Sequence, residues 1–266
     1  MQKRDYELSI AIPASLVSDV PHLREKTTKI SLVGRAAAIF CVNEIIVFPD
    51  SPDANQRRDI DLVATILAYM ETPQYLRKRL FKIKPELRYA GILPPLRTPH
   101  HPLANRTKDL TVGEYREGAI LSVSEAGALV DIGVERPILV PDVKLPPNTR
   151  VTVRVTKLGK HPEAALASRD EIKAYWGYNV KVSVIPFGQL VKYQSFDLVI
   201  ATSRYGTPLM KVADELAKRW KQSRNILVAF GAPTQGLHEI VDRENLKLDE
   251  VTHFTVNTIP NQGTET

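Results

Sequence analysis

The sequence predicts an α/β fold in which a parallel sheet is interrupted by a small β-barrel. Strand and helix patterns alternate over residues 1–92 and again over residues 173–266, and this order is typical of a parallel sheet covered by helices. Residues 93–172 instead contain short alternating strands separated by glycines, which is typical of a small antiparallel barrel. We therefore expect one α/β domain, residues 1–92 and 173–266, with residues 93–172 as an insert.

The first part of the chain has the order β-α-β-α. Residues 7–16 predict a strand followed by a turn, residues 22–40 have helical spacing, and residues 41–50 form a second apolar strand pattern. Residues 59–70 predict a helix with an apolar stripe, which Asp59 can cap. A further helix is expected to begin near Thr72, with Pro73 in its first turn.

The insert begins at a change in composition. Residues 91–105 are rich in proline and therefore cannot form a regular helix or a central strand. Short strands are predicted at residues 117–127, 128–140 and 150–159. In the last third, strands are expected at residues 196–203, 224–231 and 252–259, and helices at residues 208–222 and 236–245.

Composition excludes several classes of protein. The single cysteine, Cys41, excludes an intramolecular disulfide and a multi-cysteine zinc site, and no metal is expected. The apolar runs are much shorter than the ~20 residues that span a bilayer, and the N-terminus lacks a signal-peptide pattern. We expect a cytoplasmic protein with no membrane contact.

Basic residues are concentrated in one segment. The net charge is +6, and residues 77–97 contain seven bases and one acid, Glu86. Such a segment forms either a solvated face or a contact surface for RNA phosphates, and the two readings are equally supported.

Three strands in the last third end in loops of turn-forming residues, at residues 201–208, 230–237 and 257–266. In open α/β sheets, ligands bind beyond the carboxyl ends of the strands, and glycines there allow a close approach of the backbone. Spacing alone favours three ordinary turns over a cofactor site.

The motifs in these loops resemble those of the SPOUT superfamily of RNA methyltransferases. Gly231, Gly236 and Leu237 are similar to the superfamily's G-x-x-x-x-G-L motif, and Ile259, Pro260 and Gly263 to its I-P-x-x-G motif. Residues 29–37 are similar to the first motif of the ribose-methylating branch, with Arg35 at the arginine position and Lys29 in place of its asparagine. Residues 72–81 and 91–101 resemble the archaeal and eukaryotic subfamily that carries a barrel insert, so the likeness spans nearly the whole chain.

The resemblance implies a C-terminal trefoil knot, S-adenosylmethionine as the cofactor, and a homodimer formed through the knot. It also implies a set of cofactor-binding residues, which are Thr202, Phe230, Gly231, Gly236, Leu237, Ile259, Gly263 and Thr264.

The same resemblance implies an RNA substrate. Arg35 is the candidate catalytic residue, and it would bind phosphate or stabilise developing negative charge because a guanidinium rarely loses its proton. The candidate RNA-binding residues are Arg77, Lys78, Arg79, Arg97, His100, His101 and Arg204. His100 and His101 could alternatively act as acid–base groups or belong to a rigid linker.

The insert resembles OB-fold RNA-binding domains. Such domains stack bases on exposed aromatic side chains beside a basic groove, but residues 104–172 contain only Tyr115 as an aromatic and carry no net charge. The insert is therefore expected to position RNA by its shape, with phosphate contacts from residues such as Arg150 and Arg154.

We expect an RNA methyltransferase acting on ribosomal RNA, at a base nitrogen or a ribose hydroxyl. The first alternative is a non-catalytic RNA-binding or ribosome-assembly factor that retains the knot, and a second is methylation of a protein or small molecule. The sequence stops inside the third loop, without the helix that follows it in SPOUT proteins. Residues 261–266 are accordingly expected to be mobile, with reduced cofactor affinity, unless the native chain continues.

Overall fold

The computed structural model describes residues 1–51 and 53–259 of the chain. Its strands are β1 (Glu7–Pro13), β2 (Glu44–Phe48), β3 (Tyr115–Ser124), β4 (Gly127–Asp131), β5 (Ile138–Pro141), β6 (Arg150–Lys157), β7 (Glu163–Leu166), β8 (Asn179–Val182), β9 (Leu198–Pro208), β10 (Asn225–Ala229) and β11 (Phe254–Asn257). Its α-helices are α1 (Leu23–Ile39), α2 (Arg57–Glu71), α3 (Gln74–Leu80), α4 (Phe187–Tyr193), α5 (Leu209–Gln222), α6 (Leu237–Asp242) and α7 (Leu248–Val251).

The chain divides into two compact units. We call one the barrel unit, which comprises Met1–Lys3, Tyr69–Pro85 and Pro95–Gly177. We call the other the sheet unit, which comprises Arg4–Ala68, Glu86–Pro94 and Tyr178–Thr266.

The sheet unit contains six parallel strands in the order β11-β9-β10-β1-β2-β8. This confirms the predicted parallel sheet. Along β1, Ala11 points into the apolar core that also contains Phe48, Leu227 and Phe187. Side chains alternate across a strand, so residues 8, 10 and 12 face the opposite side of the sheet.

Helix α2 illustrates how the sequence pattern produces the packing. Leu62, Ile66, Leu67 and Met70 lie on one face at helical spacing, and each is at most 7% exposed. The helix begins at Arg57, so Asp59 lies within its first turn and does not cap it. The predicted start at Asp59 was therefore two residues late.

The barrel unit contains a closed five-stranded barrel in the order β3-β4-β5-β7-β6. All neighbouring strands are antiparallel except β5 and β7, which pair in parallel through Leu139 and Glu163. This confirms the predicted small barrel. Strands β7 and β8 and helices α4 and α7 were not predicted, because segments of four to seven residues carry too few repeats to show a period.

Residues 1–51 and 53–259 lack both a membrane-spanning helix and a cluster of metal-ligating side chains. No helix there is sufficiently long and apolar to cross a membrane. Within the same residues, no three His, Cys, Asp or Glu side chains are grouped so that they could hold a metal ion.

Candidate functional site

A cavity of about 1020 Å³ lies in the sheet unit. The loops after β10 and β11 and the segment 202–205 of β9 line it, together with Leu8, Ile10 and Ile12 of β1 and Val33 and Ala37 of α1. The carboxyl ends of parallel strands meet at one edge of a sheet, which brings these loops together. The volume is at the upper end of the range for small-molecule sites, roughly 300–1000 Å³.

The segment 202–206 of β9 departs from the ladder with β11. Thr255 pairs with Ala201, but the next residue, Val256, pairs with Thr207, so the five residues between them bulge out. The Thr202 hydroxyl donates to the carbonyl of Ala229 at 3.0 Å and joins the start of the bulge to β10. The structure therefore places Thr202 and Arg204 at the cavity, as lining residues.

The loop after β10 is a tight backbone turn. Ala232 N–H donates to the carbonyl of Gln235 at 2.8 Å, and Gln235 N–H donates back to Ala232 at 3.3 Å. A Cβ at Gly231 would lie 3.0 Å from the Gln235 carbonyl and 3.1 Å from the Cα of Gly236. A side chain at Gly231 would therefore push the turn apart. Phe230, Gly231 and Gly236 line the cavity, and Leu237 is fully buried in the core beneath.

Gln235 contributes an unusual polar atom to this loop. Its Oε1 is buried and has no hydrogen-bond partner among the residues that the structure describes, although Gln235 itself lines the cavity. An unpaired buried acceptor costs about 1–3 kcal/mol. The atom is accordingly well suited to accept a hydrogen bond from a bound ligand.

The loop after β11 connects to the bulge of β9. The Asn257 side chain donates from Nδ2 to the carbonyl of Arg204 at 2.9 Å, and its Oδ1 accepts from the backbone N–H of Ile259 at 3.0 Å. Ile259 lines the cavity and is 41% exposed. Gly263 and Thr264, like the rest of residues 260–266, lie outside the described part of the chain.

Several cavity residues were not predicted from the sequence. Arg4, Tyr6 and Trp220 form a cluster in which the Arg4 guanidinium lies 5.4 Å from the Tyr6 ring centre and the two rings meet edge to face at 5.8 Å. His238 and Glu239 of α6 also line the cavity. No role was predicted from the sequence for any of these five residues or for Gln235.

Arg35 lies on α1 and is exposed. Its neighbours Val33 and Ala36 line the cavity, but Arg35 is not one of the lining residues. Lys29, which replaces the asparagine in the first motif of the ribose-methylating branch, donates to the Asp19 carboxylate at 2.8 and 3.0 Å.

The basic residues of α3 differ in their surroundings. Arg77 is 8% exposed, and its guanidinium donates to the carbonyls of Thr72 and Met70 at 2.9 and 3.1 Å. Lys78 is exposed, and Arg79 lies 3.9 Å from the Asp131 carboxylate with 40% of its side chain accessible. Arg97 is exposed on the segment that leads into the barrel.

His100 and His101 lie in the barrel unit and contact Glu71. The Nε2 atoms of both histidines lie within 2.8 Å of the Glu71 carbonyl, and His100 Nε2 is 3.2 Å from the Glu71 carboxylate. Burial, and after it the neighbouring His100, lower the pKa of His101 from 6.5 to about 4 against smaller opposing effects of Glu71. The contacts with the Glu71 carbonyl hold both imidazole rings in place.

Glu71 belongs to a buried ionic cluster with Glu117, Arg150 and Arg169. Arg150 donates to the carboxylates of both Glu71 and Glu117, and Arg169 lies 3.3 Å from Glu117. Burial alone would raise the pKa of Glu71, but the hydrogen bond from His100 and the charge of Arg150 lower it to about 2. The structure thus places Arg150 in this cluster rather than on an RNA-facing surface.

Comparison with known proteins identifies the class to which this fold and cavity belong. Residues 7–266 match the protein family described as "Putative RNA methyltransferase". The chain belongs to this family, and the prediction of an RNA methyltransferase is confirmed.

Individual relatives agree with this assignment. The chain is 32% identical over 296 residues to the 28S rRNA (uridine-N(3))-methyltransferase of Mus musculus, covering 100% of this chain and 73% of the relative. It is 32% identical over 294 residues to the Homo sapiens protein of the same name, covering 99% and 74%. An uncharacterized protein of Halobacterium salinarum is 34% identical over 273 residues, covering 97% and 92%.

Proposed function

We propose that this chain transfers the methyl group of S-adenosylmethionine to N3 of a uridine in ribosomal RNA. The observation that carries the proposal is the whole-chain similarity to relatives named for that reaction, joined to a cavity at the strand ends. The sequence leaves open whether the methyl acceptor is a base nitrogen or a ribose hydroxyl, and the names of these relatives favour the base nitrogen N3.

The residues of the cavity fit S-adenosylmethionine. Leu8, Ile10 and Phe40 supply apolar surface for a flat ring, and the tight turn places Gly231, which has no side chain, in the cavity lining. The unpaired Oε1 of Gln235 supplies an acceptor for a ligand N–H. When bound, the cofactor supplies a methyl group on a positively charged sulfur.

The chain must orient the uridine and manage one proton. N3 of neutral uridine carries a hydrogen, which has to leave as the N–CH₃ bond forms, and His238 and Glu239 are the cavity residues able to accept it. Arg35 remains our candidate for binding phosphate or stabilising negative charge on the acceptor. Lys78, Arg79, Arg97 and Arg204 provide exposed cations for RNA phosphates, whereas Arg77, His100 and His101 are engaged with the backbone.

We extend the proposal to the fold and the assembly. The sheet unit is proposed to contain the trefoil knot of SPOUT proteins, and the barrel to be an OB-type RNA-positioning insert between the two halves of the methyltransferase domain. The active form is proposed to be a homodimer.

Incubation with ribosomal RNA and methyl-labelled S-adenosylmethionine, followed by nucleoside mass spectrometry, tests the reaction. N3-methyluridine is the expected product. The Gly231→Val variant should lose cofactor binding and product together, and Arg35→Ala should lose product while it retains cofactor. Methylation of another atom would reject the N3 assignment, and an absence of any methylated nucleoside would reject the reaction.

A further inference from the structure

The bulge of β9 carries two exposed side chains, Arg204 and Tyr205, beside the cavity. We call residues 202–206 the β9 arm. Arg204 and Tyr205 line the cavity, and Tyr205 is 67% exposed. Burying a tyrosine ring is normally favourable, so an aromatic held in the open beside a ligand cavity suggests a partner that arrives with the substrate.

The β9 arm is held in position by contacts at both ends. Thr202 is hydrogen-bonded to β10, and Asn257 holds the carbonyl of Arg204. At the far end, a Cβ on Gly206 would come within 2.6 Å of the Val256 backbone and 2.8 Å of that of Thr255. Only glycine permits the chain to pass so close to β11. The arm therefore presents its side chains from a defined backbone position.

The Arg204 guanidinium lies over the Tyr205 ring, 4.6 Å from its centre, and one Nη2–H donates to the Tyr205 hydroxyl. This cation–π contact orders the pair before any ligand binds. An arginine has five N–H donors, so others remain for an anion. Among the described residues, no second aromatic ring contacts Tyr205.

We propose that the β9 arm is a stacking platform for an unpaired RNA base, with Tyr205 stacking on the base and Arg204 contacting its phosphate. Single-stranded RNA is recognised by stacking of splayed bases on aromatic rings next to cations. Enzymes that modify a base must also take it out of its helix. This inference rests on the proposed function, since it assigns the binding of the acceptor nucleotide or its neighbour to the same cavity.

The test compares Tyr205→Ala with Tyr205→Phe, which keeps the ring. The probe is a single-stranded oligouridylate of roughly ten nucleotides, within the usual site sizes. Tyr205→Ala should weaken its binding by about 5- to 150-fold, the factor that corresponds to loss of one stacked base at about 1–3 kcal/mol. Tyr205→Phe should bind within about twofold of the unmodified chain. Tyr193→Ala, at a tyrosine that is 79% exposed on α4, is the matched control and should have no effect.

An oligomer of abasic ribose phosphates separates base stacking from phosphate contact. Its affinity should be the same for the unmodified chain and Tyr205→Ala, and should fall in Arg204→Gln. The melting temperature, measured by thermal denaturation, should be unchanged in Tyr205→Ala because the ring is 67% exposed, and so it reports intact folding.

The outcomes distinguish this inference from the proposed function. Equal oligouridylate binding by the unmodified chain and Tyr205→Ala overturns the platform, even if N3-methyluridine is formed. Base-dependent binding through Tyr205 supports the platform, even if the methylated atom differs. If Tyr205→Ala weakened binding of the abasic oligomer as much as binding of oligouridylate, stacking on a base would also be rejected. Tyr205 would then belong to a surface that does not recognise bases.

Discussion

At the scale of single residues, Gln235 shows how a site can be destabilised in the absence of its ligand. Its buried Oε1 lacks a partner among the described residues, and this lowers the stability of the ligand-free protein. A ligand N–H that pairs with Oε1 would recover that cost on binding. The unpaired Oε1 therefore makes ligand binding more favourable, because the cost is present only in the ligand-free protein.

Replacement of Gln235 by methionine should therefore have opposite effects on stability and affinity. The melting temperature of the ligand-free protein should stay the same or rise, because a buried orphan acceptor is removed. Affinity for S-adenosylhomocysteine should fall about tenfold, as expected for loss of one hydrogen bond worth about 1.5 kcal/mol. Calorimetry and thermal denaturation measure the two quantities, with Gln222→Met on exposed α5 as the control. A lower melting temperature with unchanged affinity would make Gln235 purely structural.

His101 makes the barrel unit sensitive to acid. Its pKa is lowered to about 4 in the folded protein, so the unfolded chain binds the proton more readily. A lowered pKa contributes stability above the ordinary value of 6.5, and this contribution is lost as the pH falls from 6.5 towards 4. Glu71, with a pKa of about 2, adds a second loss as the pH falls below 4.5.

The His101→Gln variant should flatten the dependence of unfolding free energy on pH between 6.5 and 4. The second loss, below pH 4.5, should remain because Glu71 is unchanged. Urea denaturation at a series of pH values measures both effects, and His22→Gln at an exposed position serves as the control. If the control and His101→Gln gave the same profile, the acid sensitivity would have another origin.

At the scale of elements, the ionic cluster joins the end of α2 to the strands of the barrel. Glu117 of β3 accepts from Arg150 of β6, from the Thr152 hydroxyl at 2.7 Å and from the Trp176 indole at 2.6 Å. Burial alone would raise the pKa of Glu117, but Arg150 and Arg169 lower it. Removal of Arg150 would leave two buried carboxylates with the partly exposed Arg169 as their shared guanidinium partner, and His100 as a further partner of Glu71.

Replacement of Arg150 by methionine should destabilise the protein by about 3–5 kcal/mol, the usual cost of breaking a buried ion pair from one side. Arg154→Met changes the same residue type on the same strand, but at an exposed position. It should alter stability by no more than about 0.5 kcal/mol. Urea denaturation at neutral pH gives both values. If both variants changed the free energy of unfolding equally, Arg150 in the cluster would contribute no more to stability than the exposed Arg154.

At the scale of the whole molecule, the net charge of +6 favours association with a polyanion. The positions of the exposed basic side chains decide where on the protein the polyanion binds. Lys78, Arg79 and Arg97 are the predicted RNA-binding cations of the barrel unit that retain exposure. Arg77 was predicted together with them, yet its guanidinium is buried against backbone carbonyls. Charge removal at Arg77 would therefore report on folding rather than on RNA.

The Lys78→Gln, Arg79→Gln, Arg97→Gln triple variant should bind ribosomal RNA more weakly and with a shallower dependence on salt. Each phosphate contact contributes about 0.7–0.9 to the slope of log affinity against log salt, so loss of three contacts lowers the slope by about 2–3. Filter binding at several salt concentrations measures it. A triple variant at Lys211, Lys218 and Lys221 of α5 carries the same charge change, and equal slopes in the two variants would contradict a specific basic surface.

The sequence by itself determined the order of the longer elements and the location of the cavity loops, but not the short elements β7, β8, α4 and α7. Period-two and period-3.6 patterns are local, so the alternation that predicts a parallel sheet is visible without tertiary contacts. The glycines at 231 and 236 marked the loop after β10 for the same reason, since a tight turn is specified by a few adjacent residues.

Only the tertiary structure decided which charged side chains are available. Arg77 and Arg79 are two residues apart, and the sequence cannot show that one is buried against carbonyls while the other lies near solvent. Arg150 and Glu71 are far apart in sequence, and their pairing depends on how β6 meets the end of α2. The orphan acceptor of Gln235 and the bulge that presents Tyr205 likewise arise from packing between distant segments. Local patterns encode elements, whereas burial and hydrogen-bond pairing depend on contacts between residues that are remote in the chain.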